Sequence, residues 1–406
     1  MQAVITGLGM VSPCGIGKDN FWQALEEGKS YIGELSSFDT AEFSVKLGGE
    51  IKNFKPKDYL DGKSIRNLDR SALLLLVASK LAIDDAKIYI NDDNTDKIGV
   101  CTGTTFSHLW SIVEFDKEVF NEGLNFANPA LFPSTVINAA SSHVSIRYNI
   151  QGFNTTISTG YTSALESLRY ALNALDTKKA EIILCGAVES LTYSLFFGIH
   201  KLKYMAGFNG LALSCPFDKR RNGPLPAEGA AVFCIEDLEQ AKIRGVDIFA
   251  KVRSVSSFFD AYKIAKLDAK GEGIERSIKK ALDEAGIGIK DIDYISSCAN
   301  SSQDLDSIEA KTLKRVFGNN LNNIPVSSIK SMIGETFSAS AGLQIASCIG
   351  AMHRGIIPPT INYKEKDPEC DIDCVPNKAQ KKDVKIALVV SSGPGGYSSA
   401  AVLEKY

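Results

Sequence analysis

The stretch T-I-S-T-G-Y-T-S-A at 156–164 decides how this chain folds. Its first part, with the T-T-I-S-T run at 155–159, has the β-branched, threonine-rich character of a short strand. Gly160 breaks the run, and Ser163 to Leu175 is strongly helical. A strand that passes at once into a helix is the unit from which α/β proteins are built.

The same alternation extends in both directions. Ala3 to Thr6 reads as an opening strand, followed by the turn-rich stretch Ser12 to Gly17 and a helix from Asp19 to Glu27. Ser71 to Ala86 is apolar over most of its circumference and too long for a strand, which predicts a buried helix. Lys97 to Thr102 is a strand, Phe106 to Phe132 a loop-rich aromatic segment holding Trp110, and Pro133 to Tyr148 a helix begun at its proline. Glu181 to Gly186 and Ala230 to Glu236 are apolar strands, and Leu238 to Arg244 is a short helix. Beyond residue 245 the rhythm repeats. A helix over Gly273 to Ala285 is closed by Gly286, then come strand Ile292 to Ser296, helix Asp304 to Phe317, strand Ile324 to Ser327 and helix Ala339 to Met352. Lys385 to Val390 and Ala400 to Glu404 close the chain as strands around a glycine turn. No linker rich in Pro, Gly or charge separates the halves, so two halves sharing one core are expected, not two tethered domains.

Composition narrows the class. The 406 residues are 44% hydrophobic and 23% charged, ordinary globular values that exclude disorder and fibrous repeats. The 45 Lys and Arg against 48 Asp and Glu leave a net charge of −3, without the basic excess expected of a nucleic-acid binder. Nine scattered cysteines and four histidines (His108, His143, His200, His353) make no zinc pattern, and Cys370 and Cys374 are not spaced as a CxxC pair. The longest apolar run, Ala72 to Ala78, is far shorter than the ~20 residues that span a bilayer. Scattered thiols without a signal peptide read as a cytoplasmic protein, with no membrane and no nucleic-acid partner. G-L-G at 7–9 lacks the third glycine and the downstream acid of a dinucleotide site.

With P-F-D-K-R-R-N-G-P-L-P-A-E-G-A-A (216–231), V-S-S-I-K-S-M-I-G-E-T (326–336), V-I-T-G-L-G-M-V-S-P-C-G-I-G (4–17) and I-P-P-T-I-N (357–362), the opening stretch resembles the β-ketoacyl-acyl-carrier-protein synthases. The likeness is to the class II ketosynthases of fatty acid synthesis and their polyketide relatives, and it runs collinearly along the whole chain. It implies the α/β thiolase-like fold, in which two similar βα halves pack as five layers, α-β-α-β-α. Here the halves would be 1–245, with dimerisation and a nucleophile elbow, and 246–406. It also implies a dimer and an acyl carrier protein whose phosphopantetheine arm brings the substrate, with no metal, nucleotide or flavin.

The chemical positions depart from that pattern. In the family a cysteine at the strand-to-helix elbow attacks the acyl thioester, helped by the helix dipole and a histidine. The matching residue here is Tyr161, and a phenol with pKa ≈ 10 is a poor nucleophile. The first family histidine, in N-A-H-G-T-S-T, corresponds to Cys298 in S-S-C-A-N-S-S (296–302), and the second, in K-S-M-x-G-H, to Glu335, with Lys330 retained. The last family turn, G-F-G-G-T-N, is G-P-G-G-Y-S here, so Pro394, Gly395 and Gly396 line the acyl pocket with the aromatic gate and one N–H missing.

Each substitution also has a plain reading. Tyr161 can simply fill a redundant elbow, Cys298 is a small buried residue without a base, and Lys330 belongs to the polar network behind the site. A buried Glu335 needs a donor, so a Tyr161–Glu335 hydrogen bond is expected to hold the site shut. Lys219, Arg220 and Arg221 are either a carrier-protein contact or a solvated patch. His143, on a helix face with Ala139 and Ala140, and His108, in the family's interface loop, read as structural. The resemblance then implies a non-condensing homologue of the chain-length-factor type, paired with an active ketosynthase in polyketide, polyene or fatty-acid synthesis; a homodimer is the alternative assembly. The rival is a repurposed acyltransferase using Glu335, Cys298 and Lys330 on an acyl thioester.

Overall fold

The computed structural model describes residues 1–61, 65, 68–263 and 265–406. In the first half, strands β1 (Ala3–Ser12), β2 (Ile98–Gly103), β3 (Asn154–Ile157), β4 (Ile182–Glu189) and β5 (Gly229–Asp237) lie in the order β3-β2-β4-β5-β1. In the second, β6 (Ala250–Phe259), β7 (Tyr294–Ser296), β8 (Val326–Ser327), β9 (Ile386–Ser392) and β10 (Tyr397–Lys405) lie as β8-β7-β9-β10-β6. The two orders are one pattern used twice. Both begin with parallel pairings and end with antiparallel ones. Strands β1 and β6 meet at Val4–Lys251 and Ile5–Ala250 and join the halves.

Helices complete the layers. The outer layer of the first half is α1 (Arg70–Asp85) with α3 (Ala139–Tyr148), and α2 (Leu109–Glu122) precedes α3 in the chain. Leu74 and Leu75 of α1 pack on Val100 and Val232. In the middle, α4 (Ser163–Asp176) and α7 (Ser340–Arg354) share the largest core, where Leu165, Leu168, Leu343 and Ile349 meet Phe233 and Val389 from the two sheets. Helices α5 (Glu272–Ala285) and α6 (Gln303–Phe317) cover the far side, with Ile278, Leu282 and Leu313 against Leu388. This is the five-layer thiolase-like arrangement that the sequence resemblance implies.

Local chemistry explains several placements. Asp69 caps α1 by accepting from the Ala72 amide at 2.7 Å. On β1, a Cβ at Gly7 or Gly9 would come within 2.2 Å of the Ala82 carbonyl or 1.8 Å of the Ala78 carbonyl, so G-L-G serves to let α1 lie on the strand. The outermost strands differ. Both residues of β8 are buried and the Val326 amide donates to the Asp373 carbonyl at 3.0 Å, whereas β3 is only half-buried and nothing pairs with its outer side among the described residues.

Two local expectations are corrected. Residues 106–132 are not mainly loop, because α2 occupies Leu109–Glu122. The helix after it begins at Ala139, not Pro133, since Pro133 lies inside a separate 3-10 turn over Pro129–Thr135 capped by Asn128. The long strand β6 and the helix Tyr193–Lys201 were not foreseen. No described helix is long and apolar enough to cross a membrane.

Candidate functional site: a filled elbow and a buried ion pair

The elbow is built as its sequence suggests. After β3, Gly160 turns the chain at φ 67, a conformation glycine adopts without cost, and Tyr161 follows in the 3-10 turn Gly160–Thr162 that leads into α4. The Ser163 hydroxyl donates to the Gly160 carbonyl at 2.7 Å and accepts from the Thr159 amide at 3.0 Å, while the Ser391 hydroxyl donates to the Tyr161 carbonyl at 3.0 Å. The ring of Tyr161 is 8% exposed. It meets Phe337 edge-on at 5.6 Å and lies directly over Gly393, where a Cβ would fall 2.6 Å from the ring. The turn G-P-G-G-Y-S thus touches Tyr161 through Gly393, with Pro394 half-buried, Gly395 exposed and Gly396 packed against Phe259.

The expected Tyr161–Glu335 hydrogen bond is not formed. The Tyr161 phenol instead interacts electrostatically with the Tyr204 phenol, and burial raises its pKa well above the ordinary value. A neutral, buried phenol cannot attack a thioester. Glu335 is instead surrounded by four other donors. Its Oε2 accepts from the Asn300 side-chain amide at 2.8 Å and from Lys330 Nζ at 2.9 Å. Its Oε1 accepts from the Phe337 backbone amide at 2.9 Å and from the Ser340 hydroxyl. The Lys330 and Glu335 side chains are 3% and 0% exposed, so this is a fully buried ion pair. Lys330 Nζ also donates to the Cys298 carbonyl at 2.9 Å and sits 5.9 Å from the centre of the Tyr161 ring.

Cys298 is wholly buried, its thiol pushed well up in pKa by burial and by the neighbouring Glu309. Tyr161, Cys298, Lys330 and Glu335 are therefore brought together, but as a closed network and not as nucleophile and bases. Two carboxylates behind it went unnoticed in the sequence. Glu309 accepts from the Ser297 hydroxyl at 2.6 Å and from the Cys298 and Ala299 amides at 2.9 Å. Asp306 accepts from the Phe217 and Asn300 amides, each at 2.9 Å, and burial lifts its pKa to about 7. Their signal was an acid pair three residues apart on the buried side of a helix beside Leu305, Ile308 and Leu313. Glu189, at the end of β4, is likewise lifted to about 7 by burial. It accepts from the Thr105 and Phe106 amides at 3.2 and 2.9 Å and from the Ser338 hydroxyl at 2.8 Å.

The basic cluster is mostly internal. Arg220 pairs with Asp218 at 2.8 Å and donates to the Asn362 carbonyl at 2.7 Å, and the buried Arg221 pairs with Asp367; only Lys219 is exposed. His108 and His143 are half-buried, and burial lowers the pKa of each. A cavity of about 150 Å³ opens beside Tyr204, lined also by Lys203, Asn222, Ser302 and Asp304, and Tyr161 is not part of its wall.

The chain matches the family models described as beta-ketoacyl synthase N-terminal domain, over residues 2–241, and C-terminal domain, over residues 249–364. It is 32% identical to the 3-oxoacyl-[acyl-carrier-protein] synthase 2 of Synechocystis sp. over 100% of this chain and 98% of that protein. It is 33% identical to a putative polyketide beta-ketoacyl synthase 1 of Streptomyces halstedii, covering 99% and 97%. Among solved structures it superimposes on the ishigamide ketosynthase/chain length factor with a TM-score of 0.93 at 28% identity, covering 100% of this chain and 99% of that one. A type II polyketide ketosynthase in complex with its acyl-carrier protein gives a TM-score of 0.89, also at 28% identity and with coverage of 100% and 99%. Fold, domain order and relatives agree, and the chain belongs to the β-ketoacyl synthase family.

Proposed function

We propose that this chain is a non-condensing member of the family, of the chain-length-factor type, acting in the cytoplasm beside an active ketosynthase that elongates carrier-protein-bound acyl chains. The observation that carries this reading is the closed network itself. A nucleophile position filled by a buried neutral phenol, and histidine positions filled by a buried thiol and a lysine-paired carboxylate, leave no group to accept an acyl chain or drive a decarboxylation. Substrate arrives on the phosphopantetheine arm of an acyl carrier protein and reacts at the partner's cysteine.

A partner surface is available. Phe120, Leu124, Phe126 and Phe132, on α2 and the segment after it, are 92%, 83%, 75% and 59% exposed, and the outer edge of β3 has no strand partner among the described residues. Apolar patches of this kind mark interfaces. The repurposed-enzyme reading is weaker, since Glu335 already accepts from four donors and has no lone pair directed at a substrate.

The test is co-expression with a ketosynthase encoded in the same gene cluster, mass analysis of the complex and an elongation assay. A 1:1 complex that elongates, and that dies when only the partner's cysteine is replaced, supports the proposal. A homodimer that turns over acyl thioesters alone, and loses activity in Glu335→Gln, refutes it.

A further inference from the structure

The network around Glu335 does more than fill space. Phe337 is a non-glycine residue at φ 49, a left-handed conformation that its own side chain disfavours. Such a residue persists where its surroundings hold it, and here the holder is visible. Its backbone amide donates to Glu335 Oε1 at 2.9 Å, and Glu335 is itself fixed by Lys330, Asn300 and Ser340. The turn directs the Phe337 ring between two others, Tyr161 at 5.6 Å and 74° and Phe106 at 5.9 Å and 87°. The following residue, Ser338, is tied by its hydroxyl to Glu189 at 2.8 Å, and Glu189 also receives the Thr105 and Phe106 amides.

Phe106 stands at the root of α2. Its carbonyl accepts from the Leu109 amide, at the first residue of that helix, at 3.0 Å, and Thr105 is fastened to the elbow through its hydroxyl on the Gly160 carbonyl at 3.3 Å. A continuous chain of contacts thus runs from Glu335, through Phe337 and Phe106, to the first turn of the helix that bears Phe120. Each contact in it is a packed ring or a hydrogen bond of ordinary geometry, the kind of link through which position is transmitted.

We propose that Glu335 and Phe337 are positioning residues for the partner surface: the carboxylate at the former histidine position holds Phe337 as a strut that fixes the first turn of α2. The link itself is a property of this chain, while its use in assembly rests on the function proposed above. It gives the replaced catalytic positions a role that neither a filler nor a relic would have.

Hydrogen–deuterium exchange on the isolated full-length chain tests the link without a partner. In Phe337→Ala, amides of residues 105–112 should exchange faster by about tenfold or more, while those of α5 and β10 stay at the wild-type rate, because local opening is confined to the region that loses its support. Phe337→Leu, which restores bulk, should recover most of the protection. Glu335→Gln, which keeps an acceptor for the Phe337 amide, should lie between wild type and Phe337→Ala. Exchange at 105–112 unchanged in Phe337→Ala, or raised equally in α5 and β10, overturns the inference. Association of the same variants with the co-expressed ketosynthase is scored separately: local loosening with undiminished association leaves the strut in place and removes the assembly reading.

Discussion

Replacing Lys330 with methionine should be costly, and replacing Glu335 at the same time should recover much of the loss. The two charges lie 2.9 Å apart with side chains 3% and 0% exposed, so neither reaches water when the other is removed. Deleting one member of such a pair typically costs about 3–5 kcal/mol, chiefly because a buried charge is left uncompensated. Lys330→Met leaves Glu335 with the Asn300, Phe337 and Ser340 donors and belongs at the low end, about 3 kcal/mol. Glu335→Gln leaves Lys330 with only the Cys298 carbonyl as an uncharged acceptor and one weak amide oxygen, placing it nearer 4 kcal/mol. At roughly 2 cal/mol/K of unfolding entropy per residue, these losses lower the thermal midpoint of a chain this long by about 4–5 °C. The double variant Lys330→Met/Glu335→Gln has no buried charge at the pair, so its loss should fall short of the sum by at least ~2 kcal/mol. Differential scanning calorimetry of the four proteins, with denaturant melts as a check, measures the cycle. Single variants within 1 °C of wild type, or a double variant that loses the full sum, would refute the picture of a charge pair dependent on itself.

Three further outcomes follow from the same geometry. Tyr161→Cys should give no β-ketoacyl product with malonyl- and acyl-carrier protein in an intact-mass assay, since positions 298 and 335 supply no histidine; product above the wild-type background counts against the reading. Gly393→Ala places a methyl 2.6 Å from the Tyr161 ring and should destabilise by about 1–3 kcal/mol in the wild-type chain, but should cost little further when added to Tyr161→Ala, where the ring is gone. Glu189 and Asp306, raised to about 7, hold their protons in the fold where the unfolded chain has released them, so stability should fall as pH rises from about 4.5 to about 7 and then level. Glu189→Gln should remove its share of that slope, on the order of 3 kcal/mol, and an unchanged profile of thermal midpoint against pH would show that Glu189 titrates elsewhere.

Much of the architecture was legible because burial wrote it into apolar runs: α1 is apolar nearly all round and lies under β1, and the elbow stands where its glycine put it. Strand β6 escaped because Ser254 and Ser256 occupy buried positions on it. Their hydroxyls donate to the Ala281 and Ser277 carbonyls of α5, so polar residues stand where alternation calls for apolar ones. The members of the candidate site were legible as substitutions at motif positions, but their partners were not. Which donor reaches Glu335 depends on Asn300 arriving from another loop and on Lys330 curling back over five residues, and spacing carries no trace of that. Tyr204 gave no signal at all, since nothing in its neighbourhood distinguishes it from an ordinary aromatic residue.

The unequal rims of the two sheets bear on how far assembly can go. At the far rim the Val326 amide of β8 already donates to the Asp373 carbonyl, whereas no strand pairs with the outer side of β3 among the described residues. A neighbour that laid its own β3 antiparallel along that edge would make a twofold contact that uses the same surface on each side, and neither copy would then have a second free edge strand to offer. A duplicated fold has in principle two equivalent ends from which strand pairing could propagate into a filament, and the covering of one short strand leaves one such end open among the described residues.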